Sequence, residues 1–104
     1  MSDLDIDTMV YGLSDDIGET AALAEELGFD CVWNPEMDFD SLLPLPLVAE
    51  HTEDIEFGTK IATAFTRSPM LLAYTAWDLA QFSGGRFVLG LGTQVKGHNE
   101  RRFS

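Results

Sequence analysis

The chain has 104 residues, 45% of them hydrophobic, enough for one domain at most. Its 18 carboxylates against 6 Lys and Arg give a net charge of −12, which argues against nucleic acid and anionic membrane surfaces as partners. A lone Cys31 excludes a disulfide framework and fits a reducing compartment. The acidic start MSDLDID is not a signal peptide, and no stretch approaches the roughly 20 apolar residues of a membrane span. The expectation is a soluble, cytoplasmic protein.

In chain order, Leu4 to Tyr11 reads as a first strand, despite interleaved aspartates. Ser14 or Asp16 then opens a helix, with Asp16 and Glu19 at capping-box spacing. Ile17, Ala21, Ala24 and Leu27 fall on one helical face, and Gly28 is the expected C-cap. Phe29 to Asn34 is a second strand ended by Pro35, and Glu36, Asp38 and Asp40 follow in its carboxyl-side loop. Pro44 and Pro46 break the entry to a short helix ending near Thr52.

The stretch IEFGTKIATAFTRSP, Ile55 to Pro69, joins a strand to a helix start. Ile55, Phe57, Thr59 and Ile61 alternate as β-branched and aromatic strand residues, and Ser68 before Pro69 opens a helix. That helix runs to about Phe82, with Leu72, Ala76, Leu79 and Ala80 as its apolar face. Arg86 to Leu91 is a fourth strand, and a polar tail follows from Gly92 to Ser104. The order βαβαβαβ implies a parallel sheet with right-handed crossovers. Its long polar loops lie on the carboxyl side of the strands, where such folds bind ligands.

The segments GTKIATAFTRSP and SGGRFVLGLGTQVKGHNERRFS resemble the luciferase-like monooxygenase superfamily. The pattern is a glycine, then Arg-x-Pro opening a helix, then SGGR-[FL]-x-LG-x-G on the next strand. Gly58, Arg67, Pro69, Ser83, Gly84, Gly85, Arg86, Gly90 and Gly92 carry it. More closely, the sequence is similar to the branch that uses the deazaflavin coenzyme F420, with FMN the alternative. The resemblance implies an α/β fold, a partial TIM (β/α)₈ barrel of about four βα units. A full barrel takes roughly 250 residues, so residues 1–104 correspond to the amino-terminal part of one. A fragment of a longer enzyme, a split subunit, or a half that pairs with another chain are all compatible with that length. Homo-oligomers, or pairing with the missing half, are therefore expected.

The implied activity is hydride transfer or monooxygenation on a small organic substrate. Glu36 sits where the resemblance places a coenzyme-contacting acid, the catalytic candidate; the bland reading is one more solvated carboxylate. Family members often carry a histidine just behind that acid, whereas Met37, Asp38 and Phe39 stand here. Lys60, Ile61 and Ala62 align with a strand bulge of the family, so the resemblance implies a non-proline cis peptide between Lys60 and Ile61 that backs the coenzyme ring, while the residues themselves fit an ordinary strand end equally well. Gly90, Gly92 and Thr93 at the end of the fourth strand are cofactor-binding candidates, although strand packing explains a lone GxG equally well. Arg67, with Lys96, Arg101 and Arg102, is the expected cation set for a phosphate and an anionic tail.

No metal is expected, because Glu36, Asp38 and Asp40 have no His or Cys beside them. His51 reads as a surface residue and His98, in the last loop, by default as another, with reach to a substrate the minority reading, while Trp33 and Trp77 read as core. The sixteen acids before Phe57 fit a surface adapted to high salt. Two other classes stay open: a non-catalytic remnant or assembly partner, and a flavodoxin-like nucleotide-binding module. Strand order separates the last from a barrel.

Overall fold

The structure, a computed structural model, describes residues 6–37, 39–63 and 67–92. Seven elements alternate: β1 (Asp7–Met9), α1 (Ile17–Glu26), β2 (Cys31–Asn34), α2 (Leu45–His51), β3 (Glu56–Thr63), α3 (Pro69–Phe82) and β4 (Phe87–Gly92). The four strands form one sheet in the order β1-β2-β3-β4, every pairing parallel. Neighbours in space are neighbours in sequence. A doubly wound sheet requires a switch in strand order, so the flavodoxin-like alternative is excluded and the arrangement is that of four consecutive barrel strands with the three helices between them.

Apolar spacing builds the core. Val32 and Phe57 point from the sheet into a cluster with Ile17, Ala21 and Ala24 of α1, Leu45, Val48 and Ala49 of α2, and Leu72 and Leu79 of α3. Phe87 of β4 meets Phe57 with ring centroids 5.8 Å apart. The other face of the sheet carries no helix among the described elements. No helix of the described residues is long and apolar enough to cross a membrane.

Several boundaries differ from the sequence expectation. The first strand runs over Asp7–Met9, with Leu4 and Asp5 of the expected strand outside the described residues, and the second begins at Cys31 instead of Phe29. The amide of Phe29 is still spent on the end of α1, donating to the Ala24 carbonyl. The cap residue is Leu27, with Gly28 just beyond it at φ 91°, the left-handed conformation that glycine adopts without a Cβ penalty. Leu27 is 66% exposed and so leaves the buried face of α1. Asp16 is the N-cap but its side chain caps nothing; its carboxylate accepts from the Ser14 hydroxyl at 3.0 Å.

Ser68 does cap α3, accepting from the Leu71 amide, with Pro69 at the first position. Trp77 is the clearest departure in this helix. It is 67% exposed on the side away from Leu72 and Leu79, not a core residue. Trp33 is half-buried on the helix-free face of the sheet. His51 is exposed at the end of α2, as expected, with Nδ1 2.8 Å from the Leu47 carbonyl oxygen.

The amino ends of the strands are tied by two charged side chains. Arg86, at the end of the SGGR motif, donates to the carbonyls of Ala49, Thr52, Ile55 and Ser83 and to the Thr52 hydroxyl, at 2.8–3.3 Å. It thereby satisfies orphan carbonyls at the end of α2, while its guanidinium carbon lies 5.5 Å from the Phe57 ring centroid. Glu25 of α1 accepts from the amides of Glu53, Asp54 and Ile55, which lead into β3. Burial opposes ionisation of Glu25, but those three amides and the nearby Arg86 charge outweigh it and lower its pKa below the ordinary 4.5.

Candidate active site at the carboxyl ends of the second and third strands

Asn34 closes β2 and faces the helix side, where it is fully buried. A buried amide must be bonded on both sides. Here Oδ1 accepts from the Gly12 amide at 2.9 Å and Nδ2 donates to the Ser41 carbonyl at 2.8 Å. One side chain thus joins the loop after β1 to the loop after β2.

Two residues further on, Pro35 has stopped the strand and Glu36 turns toward β3. Its Oε1 accepts from the Ser41 hydroxyl at 3.1 Å, the Thr63 amide at 2.9 Å and Arg67 Nη1 at 2.6 Å. Thr63 is the last residue of β3, and Arg67 stands two residues before Pro69. Arg67 also donates to the Thr63 carbonyl at 3.0 Å and, through Nη2, to Asp40 Oδ1 at 2.8 Å. The same Asp40 oxygen accepts from the Leu42 amide. The pair Glu36–Arg67 is well shielded, with side-chain exposures of 11% and 16%, while Asp40 is 50% exposed. Burial alone would lower the Arg67 pKa, but its bonds to Glu36 and Asp40 outweigh that and raise it above its ordinary value.

The network therefore runs Gly12–Asn34–Ser41–Glu36–Arg67–Asp40 and fixes three loops around one mouth. Sequence reasoning singled out Glu36 and Arg67 but missed Asn34, Ser41, Thr63 and the pairing role of Asp40. A polar residue closing an otherwise apolar strand was the one available signal for Asn34. Nothing local announces the others, since their partners are distant in sequence.

The remaining candidates line the end of the sheet. The peptide bond between Lys60 and Ile61 is cis, as the resemblance implied. The β3–β4 register shifts between Thr59 and Ala62. Lys60 is exposed, with Nζ 5.8 Å from the Trp33 ring centroid, Ile61 is half-buried and Ala62 is fully buried. Gly90 and Gly92 lie on β4 beside them. A Cβ on Gly90 would strike the Thr59 carbonyl oxygen, and one on Gly92 the Ile61 side chain. The bareness of these glycines thus serves contact between β3 and β4, and the space beside them is filled by the chain itself. Thr93, Lys96, His98, Arg101 and Arg102 lie outside the described residues, as does Asp38. Among the described residues, no three His, Cys, Asp or Glu side chains gather to hold a metal.

Parallel strands in sequential order, helices on one face and a polar network at the carboxyl mouth define part of a (β/α)₈ barrel. The sequence model of the luciferase-like monooxygenase family matches residues 5–104, and the chain belongs to that family. It is 51% identical over 86 residues to an uncharacterised protein of Mycobacterium tuberculosis H37Rv, covering 83% of this chain and 25% of that one. It is 37% identical over 78 residues to the 5,10-methylenetetrahydromethanopterin reductase of Methanolobus tindarius, covering 73% and 24%. The solved structure of the coenzyme F420-dependent tetrahydromethanopterin reductase of Methanopyrus kandleri superposes on 96% of this chain and 30% of its own. The TM-score there is 0.78, at 26% identity. The chain spans about a quarter of the length of the curated relatives it matches.

Proposed function

We propose that the chain supplies the first four βα units of an oxidoreductase that moves a hydride between coenzyme F420 and a small organic substrate. What supports the coenzyme is the likeness, along nearly the whole chain, to the coenzyme F420-dependent reductase of Methanopyrus kandleri. FMN is the second reading, since it presents a comparable planar ring and a phosphate. The coenzyme supplies the hydride chemistry; the protein supplies position and electrostatics.

The described residues fit the ring end of such a coenzyme. The backbone of Lys60, Ile61 and Ala62 offers an edge at the carboxyl end of β3, with Gly90, Gly92 and Thr93 proposed as the neighbouring lining. Glu36 is the proposed catalytic acid facing that edge. Its bonds to Thr63 and Arg67 also give it the work of holding the mouth together. The phosphate end finds no partner among the described cations. Arg67 is spent on Glu36 and Asp40, Arg86 lies at the opposite end of the strands, and Lys60 rests over Trp33. Arg67 therefore orders the site instead of gripping an anion, and the phosphate falls to residues beyond β4.

Among the described elements the outer edges of β1 and β4 have no strand partner, which favours an assembly role alongside this one: the barrel closes by pairing with further strands, in a cytoplasmic protein. The decisive experiment joins residues 1–104 to the portion of the M. tuberculosis relative that follows its matching stretch. The completed barrel is then titrated with F420 and FMN in parallel. Saturable F420 binding is expected. FMN binding without F420 binding overturns the coenzyme, and failure of both overturns the catalytic reading in favour of an assembly partner.

A further inference from the structure

The face of the sheet that carries no helix has a charge order of its own. Register places Asp7 of β1 opposite Cys31 of β2, and Cys31 opposite Glu56 of β3, so the three form one row across the amino ends of the strands. Cys31 and Val32 point to opposite faces, and Val32 is in the helix-covered core. The row therefore faces the side that becomes the interior of a closed barrel. Asp7 and Glu56 are both exposed there, with Cys31 buried between them. Burial, then Asp7 and Glu56, push the Cys31 thiol up to about 12, a local sign of the negative potential. One step along, Trp33 donates from Nε1 to Asp7 Oδ2 at 3.1 Å, and Lys60 sits over its ring near the carboxyl end.

Barrel interiors are packed with side chains in layers and exclude water. Two carboxylates on the inner face of such a barrel are costly unless a positive group meets them. Among the described residues, a second copy offers no free cation at that height. Two identical four-stranded halves related by a two-fold axis along the barrel bring the same row of each to the same height. Asp7 and Glu56 would then face their own duplicates, four carboxylates around the amino end of the interior. Resting on the reading that this chain supplies the first half of a barrel, we infer that its inner sheet face takes a complementary strand-and-helix unit bearing Lys or Arg on the Asp7–Cys31–Glu56 row, and not a second copy.

The test co-expresses the chain with the portion of the M. tuberculosis relative that follows its matching stretch, and follows association by sedimentation. A one-to-one complex is expected. The double variant Asp7→Asn with Glu56→Gln should weaken that complex by about tenfold or more, the scale of a desolvated charge contact. The same variant alone should self-associate more readily than the parent chain, because the like charges are gone. A merely destabilised variant would lose both associations, and that result overturns the inference. Glu56→Gln alone, which keeps the Asp7–Trp33 bond, should shift both associations in the same opposed directions. A complex indifferent to these changes, no complex at all, or tight self-pairing of the parent chain also overturns it. F420 titration of the complex is a separate readout: a charge-dependent complex that binds no coenzyme removes the proposed activity and leaves this inference standing.

Discussion

Glu36 Oε1 and Arg67 Nη1 meet at 2.6 Å across 31 residues of sequence, joining the loop after β2 to the start of α3. The contact is mostly shielded from water, so its loss leaves a carboxylate short of its strongest donor. Arg67→Ala is expected to destabilise the fold by about 1–3 kcal/mol, the cost of an unsatisfied buried polar group. Asp40→Asn, at the half-exposed end of the same guanidinium, should cost less than about 1 kcal/mol. Urea unfolding of both variants checks the order. Equal effects would mean that burial does not set the strength of the pair.

Arg86 exerts its effect at the other end of the strands, through geometry as much as charge. Its three nitrogens reach five acceptors spread over α2, the turn before β3 and the turn before β4. A lysine has one nitrogen and cannot span them. Arg86→Lys should therefore lose about 1–3 kcal/mol despite keeping the charge. Recovery of wild-type stability by lysine would show that charge near the end of α2 suffices.

The element order was legible because its punctuation is local. Gly28 past α1, Pro35 after β2 and Ser68-Pro69 before α3 each act within a few residues. The site was legible only in part. Arg67 read as a free cation because its partners, Glu36 and Asp40, lie 31 and 27 residues away and nothing local couples them. Arg86 read only as part of a motif, since its role depends on carbonyls up to 37 residues back. Trp77 was misplaced for a related reason. Periodicity separates the faces of a helix, but α3 is apolar on more than one face, with Met70, Tyr74 and Trp77 all exposed.

Charge also shapes stability as a whole. Residues 1–56 carry sixteen carboxylates and no Lys or Arg. Self-repulsion on that scale is screened as the Debye length falls from about 10 Å at 0.1 M salt to about 3 Å at 1 M. The melting temperature is expected to rise between dilute buffer and molar KCl, followed by circular dichroism. A melting point independent of KCl would remove the high-salt interpretation of the acidic surface.

Glu25 gives a pH dependence whose sign follows from its partners. Its carboxylate accepts from the amides of Glu53, Asp54 and Ile55, and its pKa is lowered from the ordinary 4.5 on folding. A group with a depressed folded pKa contributes stability that is fully present above its unfolded value and lost as pH falls through the folded one. Glu25→Gln keeps the size of the side chain but replaces the charged acceptor with a neutral one. At pH 7 the variant should be less stable by about 1–2 kcal/mol, the range for a lost charge-assisted cap. As pH drops below about 4.5, the parent chain loses the same contribution while the variant has none to lose, so the gap between them should close. The other carboxylates titrate in both proteins and largely cancel in the difference. Denaturant unfolding of the two at pH 7, 5 and 3.5 reads the gap directly. A difference that stays constant across that range would show that the bonds from Glu25 to the loop before β3 do not depend on its charge.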